Sequence, residues 1–241
     1  MKYLNVFVSG GSKGIGKNCV LKFLENGHKV YFTSRNKIDK NNYLKKDFRK
    51  YEKNLIPIQF DSLKFNNYKI LLKKIKKLDC LVNNVGDAVK RSSFEKSNLE
   101  LWKKSFDINF FTAYCATKTF LQLLKKSKKG SIVNISSISS SFGGFPDSLH
   151  YGIAKSCMDK LTQSLGKELG KYNITVNSVL PSVIMTDFQK RHSSKQRVRN
   201  VLNSTPLGRL GEVEDVSDMV FWLATKNTYI SGSNIEIAGG R

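Results

Sequence analysis

The sequence lacks a long apolar run, a paired-cysteine motif and a histidine cluster. No apolar stretch approaches the roughly 18 residues that a membrane-spanning helix needs. The four cysteines are far apart with no CxxC pair, and the three histidines show no metal-ligand spacing. These absences argue against a membrane span, a zinc site and a dithiol redox centre. The first apolar run, residues 4–8, is about half the length of a signal-peptide core, so we expect a cytoplasmic protein.

Acidic residues are scarce relative to basic ones. Lysine and arginine together number 41 against 19 acids, which gives a net charge of +22. Such a balance can serve nucleic acid, an anionic membrane or acidic small molecules and proteins. It also arises from lysine-rich solvated helix faces, such as those predicted at residues 73–77 and 125–129. We favour this second interpretation and expect no nucleic-acid partner, because no motif accompanies the charge.

Short apolar runs alternate with longer amphipathic ones along the chain. Strands are predicted at residues 4–8, 29–33, 55–60, 79–82, 131–136, 174–180 and 234–238. Helices are predicted at residues 14–26, 65–77, 98–106, 108–126, 151–169 and 213–224. This alternation is typical of a Rossmann-like, doubly wound α/β fold, in which helices cover both faces of a parallel sheet. We expect residues 1–241 to form one such domain, with the polar, basic segment 186–211 as a loose substrate lid.

A glycine-rich turn, Ser-Gly-Gly-Ser-Lys-Gly-Ile-Gly at residues 9–16, joins the first predicted strand to the first predicted helix. Gly10, Gly14 and Gly16 allow the backbone to turn sharply and to approach a pyrophosphate. The helix N-terminus adds free N–H groups and the positive end of its dipole. The context predicts a dinucleotide cradle, with a plain loop as the alternative.

The second predicted strand ends without an acidic residue. A site for NAD usually places Asp or Glu there, to bind the ribose 2′-hydroxyl. Here the strand ends in Thr33, Ser34, Arg35 and Asn36, and Lys13 projects from the glycine turn towards the same region. A guanidinium suits a phosphate, so we predict NADP(H) as the cofactor. The alternative is that Arg35 only marks the exit of a strand.

Several short motifs follow one another in a fixed order over nearly the whole chain. They are Gly10-x3-Gly14-x-Gly16, Asp61, Asn83-Asn84-Val85-Gly86, Asn109, Ser136-Ser137, Tyr151-x3-Lys155 and Pro181-Ser182-x3-Thr186. This ordered set resembles the short-chain dehydrogenase/reductase family, and the chain as a whole resembles the 3-oxoacyl-acyl-carrier-protein reductases and their many relatives of other substrate range. The family usually has threonine, alanine and glycine where this chain has Ser9, Val85 and Ser182, and none of these departures removes a reacting group.

Tyr151 and Lys155 are the predicted proton-transfer pair. Reduction of a ketone needs a hydride, which the cofactor supplies, and a proton on oxygen. A free tyrosine has a pKa of about 10, and a nearby cation favours the tyrosinate and lowers that pKa. Four residues apart on a helix, the two side chains share one face. Lys155 is therefore expected to lower the pKa of Tyr151 and to bind the nicotinamide ribose.

Two further residues complete the predicted catalytic set. Ser137 follows the fifth strand, where its hydroxyl can polarise a substrate carbonyl, and Ser136 and Ser139 remain alternatives. The resemblance alone implies that Asn109 holds a water that links Lys155 to solvent.

The resemblance also implies the cofactor contacts. Asp61 and Ser62 would lie at the adenine, Asn83 and Gly86 at the adenine-side ribose, Ile15 beneath the pyrophosphate, and Val183 and Thr186 around the nicotinamide amide. The complete expected set is Gly10, Ser12, Lys13, Gly14, Ile15, Gly16, Ser34, Arg35, Asp61, Ser62, Asn83, Gly86, Tyr151, Lys155, Pro181, Val183 and Thr186.

The substrate is expected to be a small carbonyl compound, free or linked to a carrier protein or a nucleotide. The segment 186–211 carries Lys190, Arg191, Lys195, Arg197 and Arg199, which would attract an anionic substrate, although such charge can serve solubility alone. A sugar or polyol oxidoreductase is one alternative, and a non-enzymatic dinucleotide- or RNA-binding module is another. The resemblance implies a homotetramer or homodimer that pairs helices 108–126 and 151–169.

Overall fold

A seven-stranded parallel sheet forms the centre of the computed structural model, which describes residues 3–44 and 46–241 apart from the side chains of Lys46, Asp47 and Lys190. The strands are β1 Asn5–Val8, β2 Lys29–Ser34, β3 Leu55–Gln59, β4 Cys80–Asn83, β5 Gly130–Ile135, β6 Ile174–Pro181 and β7 Asn234–Ile237. They lie in the order β3-β2-β1-β4-β5-β6-β7. The order reverses between β1 and β4, the position at which such sheets bind ligands. The predicted Rossmann-like fold is confirmed.

Helices cover both faces of this sheet. They are α1 Gly14–Glu25, α2 Lys40–Tyr43, α3 Leu71–Lys74, α4 Leu99–Phe106, α5 Thr112–Lys125, α6 Leu149–Leu169, α7 Asp187–His192, α8 Lys195–Asn203 and α9 Val213–Thr225. Short 3₁₀ segments occupy Lys46–Asn54, Phe65–Ile70, Ile138–Ser140 and Gly170–Tyr172. Within the described ranges, no helix has both the length and the apolar character that crossing a bilayer requires.

The central strands β1 and β4 are largely apolar because both of their faces are covered. In β1, Val6 and Val8 pack on the side of α1 and α9, together with Phe32 of β2. Phe7 points to the opposite face, where its ring lies 4.7 Å from that of Phe120 on α5. Alternation along the strand thus builds two cores, and the sheet between them holds the ends of its strands in fixed positions.

The helix predicted at residues 65–77 is wrong in type. The segment forms a 3₁₀ helix, Phe65–Ile70, and only Leu71–Lys74 is α-helical. Asn66 and Asn67 favour this difference, because asparagine has a lower helix propensity than most residues. The Tyr68 hydroxyl fixes the turn by donating to the carbonyl oxygens of Ser62 and Thr112, at 2.9 and 3.2 Å.

The segment 186–211 is more ordered than its composition indicates. It contains α7 and α8, and α8 begins at the N-cap Ser194, whose hydroxyl accepts from the backbone N–H of Arg197 at 3.2 Å. Val201 of α8 is buried against the body of the protein.

A π-helical turn, Asp107–Phe111, lies between α4 and α5 where the sequence predicted a break at residue 107. The backbone stays helical through the junction, since Phe106, Asp107, Phe111 and Thr112 all have right-handed helical dihedral angles. The turn buries Asn109 completely.

Candidate active site

A cleft of about 320 Å³ opens at the carboxyl ends of the strands. Sixteen of the predicted site residues line it: Gly10, Ser12, Lys13, Gly14, Ile15, Ser34, Arg35, Asp61, Ser62, Gly86, Ser137, Tyr151, Lys155, Pro181, Val183 and Thr186. Gly16, Asn83 and Asn109 do not reach its surface. The sheet therefore brings most of the predicted residues together, although they are spread from position 10 to position 186.

The glycine turn after β1 is held by its neighbours on both sides. The Gly10 amide donates to the Thr33 hydroxyl at 3.0 Å, and Gly10 has a φ of +68°, which glycine adopts without strain. The Asn84 amide group donates to the carbonyl oxygens of Ser9 and Gly10, both at 3.0 Å. A Cβ on Gly16 would lie 2.4 Å from the Gly10 oxygen, so Gly16 allows close packing behind the turn.

Asn83 points into the protein interior. Its side-chain amide donates to Asn134 Oδ1 at 2.8 Å and to the Thr117 hydroxyl at 3.1 Å. Its neighbours Asn84 and Val85 line the cleft instead. Sequence reasoning missed Asn84, although it stands in the same motif. Successive residues of a strand point to opposite sides, and this alternation was the available signal.

Lys13 and Arg35 line one part of the cleft. Among the residues that the structure describes, no carboxylate forms an ion pair with either of them. Asp61 also lines the cleft, and its carboxylate accepts from the Leu63 amide at 3.1 Å. Two cations without an acidic partner suit a phosphate group.

Tyr151 and Lys155 lie one turn apart on α6. Lys155 is only 2% exposed, and its Nζ donates to the Ile135 carbonyl oxygen at 2.8 Å. Burial lowers the pKa of Lys155 to about 8, against the opposing effect of the Asp159 carboxylate. Burial also raises the pKa of Tyr151 to about 12, and the Ser137 side chain opposes that rise. The pKa of Tyr151 is raised because desolvation of the phenol outweighs the Ser137 hydrogen bond and the Arg91 charge, and a lowering of this pKa by Lys155 stays a prediction.

Ser137 is the serine of its segment that interacts with Tyr151. It caps the 3₁₀ turn Ile138–Ser140, where its hydroxyl accepts from the Ser139 amide at 3.2 Å. Ser136 turns the other way and donates to the Lys155 carbonyl oxygen at 3.4 Å.

Asn109 holds the loop after β4. Its Oδ1 accepts from the Asp87 amide at 3.0 Å, and its Nδ2 donates to the carbonyl oxygens of Asp87 and Ser105, at 2.7 and 2.9 Å. A Cβ on Gly86 would lie 2.9 Å from Asn109 Oδ1 and 3.0 Å from Lys155 Nζ. Asn109 and Lys155 therefore approach each other beside Gly86. The predicted water-holding role of Asn109 remains a prediction.

Helix α7 contacts this same loop through Asp87. The Arg191 guanidinium donates to Asp87 Oδ2 at 2.9 Å, and His192 Nε2 lies 2.6 Å from Asp87 Oδ1. Burial would raise the pKa of Asp87, but the Arg191 hydrogen bond and neighbouring charges hold it below its usual value. The Phe188 ring lies 6.2 Å from that of Tyr151. Sequence reasoning missed Asp87 because nothing local marks it as the partner of residues a hundred positions away.

Residues 10–241 match a protein-family model described as enoyl-(acyl carrier protein) reductase. The chain is similar to a 7alpha-hydroxysteroid dehydrogenase of Paraclostridium sordellii, with 29% identity covering 97% of this chain and 90% of that protein. It is similar to a 3-oxoacyl-(acyl-carrier-protein) reductase of Synechocystis sp., also at 29%, covering 97% and 94%. The solved structure described as ElxO with NADP bound has a TM-score of 0.87 and 32% identity, covering 99% of this chain and 98% of that one.

Proposed function

We propose that this chain, which belongs to the short-chain dehydrogenase/reductase family, reduces a ketone to a secondary alcohol. It is an NADP-dependent oxidoreductase, so the proposed reductant is NADPH. The observation that carries the proposal is the meeting, in one cleft, of Ser137, Tyr151 and Lys155 with the unneutralised cations Lys13 and Arg35. A hydroxyl pair and a buried ammonium serve proton transfer, whereas the two cations serve a phosphate.

The residues at the cofactor end fit NADP(H). Gly10 and Gly14 have positive φ and keep the turn free of side chains, so a pyrophosphate can approach the backbone and the N-terminus of α1. Arg35 and Lys13 bind the 2′-phosphate, and the absence of an acid at the end of β2 removes the repulsion that a carboxylate would exert. When bound, NADPH supplies the hydride.

The proton is donated by Tyr151. A pKa of about 12 keeps its phenol protonated at neutral pH, the state that a proton donor to a developing alkoxide needs. Ser137 donates a hydrogen bond to the same substrate oxygen and stabilises its growing charge. Lys155, with a pKa of about 8, is largely charged at neutral pH and stabilises the tyrosinate that remains.

The proposed substrate is a 3-oxoacyl thioester or a similar anionic carbonyl compound. Arg191 and Arg197, from the segment 186–211, line the cleft with Arg91. These three arginines pair with only two carboxylates, Asp87 and Asp147, and the remaining positive charge supports an anionic ligand. We propose that this segment acts as the substrate lid, with α7 placing Phe188 beside Tyr151.

We also propose a homotetramer or homodimer that pairs α5 and α6. Tyr114 and Ile153 are exposed apolar side chains on these two helices, and Phe111 is exposed at the end of the preceding π turn. Large apolar side chains exposed on adjacent helices are typical of protein–protein interfaces.

The test measures NADPH consumption with an acetoacetyl thioester and, in parallel, with a nucleotide-linked keto-sugar. Tyr151→Phe should reduce kcat by about 10²-fold or more and change NADPH affinity far less, because the proton donor is lost while the other expected cofactor contacts remain. Tyr229→Phe is the matched control, since Tyr229 is 97% exposed and outside the cleft. Preference for the keto-sugar would favour a sugar oxidoreductase. Failure to oxidise NADPH with any carbonyl, together with salt-sensitive RNA binding, would contradict an enzymatic role.

A further inference from the structure

Four arginines line the cleft in addition to the proposed cofactor clamp: Arg91, Arg191, Arg197 and Arg241. Three of them have acidic partners. Arg91 and Arg197 each lie 3.0 Å from a carboxylate oxygen of Asp147, and Arg191 pairs with Asp87. Two carboxylates, Asp87 and Asp147, thus neutralise most of the charge of these three guanidinium groups.

Arg241 differs from these three. Its Nη1 donates to the Ser182 hydroxyl at 2.9 Å, and no acidic side chain among the described residues forms an ion pair with it. The neutral hydroxyl orients the guanidinium without cancelling its charge. Most of the N–H donors of the guanidinium are left for another acceptor.

Ser182 follows β6 and Ser137 follows the neighbouring β5, whose end is joined to β6 by the Ser136 amide donating to the Val179 oxygen at 2.9 Å, so Arg241 lies on the Ser137 side of the cleft. Ser182 lies between Pro181 and Val183, which both line the cleft, and its amide donates to the Ile237 carbonyl oxygen at 2.9 Å. The Arg241 amide in turn donates to the Ala238 oxygen at 3.4 Å. Arg241 is thus tied to β7 through its backbone and to the end of β6 through its side chain.

We infer that Arg241, oriented by Ser182, is an anion subsite for the substrate, which therefore carries a carboxylate or phosphate group close to its reacting carbonyl. This inference rests on the proposed function and narrows its substrate class to small anionic ketones, because a 3-oxoacyl thioester carries no anionic group beside its ketone. A guanidinium in a partly enclosed cleft forms charge-assisted, bidentate hydrogen bonds with such groups, and lysine does not reproduce that geometry.

The experiment compares three ketones at saturating NADPH: acetoacetate, dihydroxyacetone phosphate and the uncharged ethyl acetoacetate. Arg241→Gln should lower kcat/KM for the preferred anionic ketone by about 10- to 100-fold and change that for ethyl acetoacetate little, since one charge-assisted interaction is lost. Arg241→Lys should retain an intermediate value. The preference between the two anionic ketones identifies the carboxylate or the phosphate as the recognised group.

Arg49→Gln is the matched control, because Arg49 is exposed on the Lys46–Asn54 turn and does not line the cleft. It removes the same formal charge and should leave all three ketones unaffected. An equal loss for charged and uncharged ketones in Arg241→Gln, or the same selective loss in Arg49→Gln, would overturn the inference. A parallel loss of NADPH affinity in Arg241→Gln would overturn it as well, because it would place Arg241 at the cofactor.

Calorimetric binding of acetoacetate and dihydroxyacetone phosphate to the complex with NADP⁺ separates this inference from the proposed function. Anion binding that depends on Arg241, without turnover of any ketone, would refute ketone reduction and leave the subsite standing. If ethyl acetoacetate is reduced but neither anion binds at millimolar concentration, ketone reduction stands and the anion subsite is refuted.

Discussion

Gly86→Ala should impair catalysis with little effect on the fold. A Cβ at this position would lie 2.9 Å from Asn109 Oδ1 and 3.0 Å from Lys155 Nζ, whereas ordinary contact begins at 3.4 Å. Neither neighbour moves away easily. Three backbone groups hold the Asn109 amide, and the buried Lys155 ammonium is bound to the Ile135 carbonyl oxygen.

The size of the effect follows from the distance between the added Cβ and Asn109 Oδ1, which is about 0.5 Å shorter than an ordinary contact. Misplacement of a reacting group by about 1 Å lowers a rate about 10²-fold, so half that displacement predicts a loss of about tenfold in kcat. Overpacking destabilises by about 1–3 kcal/mol, and replacing a flexible glycine offsets about 0.4–1 kcal/mol of that. A net loss of about 1–2 kcal/mol leaves most molecules folded.

The assay is the single-turnover rate of hydride transfer at saturating NADPH, which removes any effect on cofactor affinity. Gly170→Ala is the control, because its added Cβ would meet nothing within 4 Å and its backbone is right-handed helical at φ −54°. A wild-type rate in Gly86→Ala, or an equal loss of rate in Gly170→Ala, would refute the reasoning that Asn109 and Lys155 must keep their positions beside Gly86.

Three further predictions concern charged groups. Lys155→Met should increase the free energy of unfolding at pH 7 by at most about 3 kcal/mol, because the wild-type pKa falls from 10.5 to about 8 on folding, and loss of the hydrogen bond to the Ile135 oxygen offsets part of this gain. The cost of burying the charged Lys155 is complete below pH 8 and disappears by pH 10.5. Urea titrations should therefore show the stability gain of Lys155→Met shrinking between these pH values, and a gain that is constant with pH would contradict the prediction. Arg35→Ala combined with Lys13→Ala should weaken NADPH binding about 100-fold and NADH binding little, as fluorescence titration would show, and equal losses would exclude the phosphate clamp. Asp87→Asn should raise KM several-fold, because the ion pair that holds α7 is lost. Since folding lowers the pKa of Asp87, the stability that this carboxylate gives the wild type is complete above its usual pKa and is lost as the pH falls from there through the lowered pKa. An unchanged KM at neutral pH would argue against the contact.

The sequence predicts the framework of this molecule better than the details of its site. Strands such as β1 are predictable because a doubly covered strand must be apolar on both faces, and the glycine turn because few sequences fit a strand-to-helix junction. The direction of Asn83 and the missing acid at Arg241 depend on neighbours that are distant in sequence. The raised pKa of Tyr151 depends on burial, which a count of nearby charges does not include.

The π turn at Asp107–Phe111 would allow the chain to lose part of its site without losing its fold. Such a turn is a one-residue insertion into an α-helix, and a single deletion can restore the regular helix while α4 and α5 keep their orientations. Deleting Ile108 would leave the hydrophobic faces of both helices in place but would change the direction of Asn109 and free the loop that it holds. A descendant of this chain could therefore lose the contacts of Asn109 with the loop after β4 in one genetic event and keep its fold.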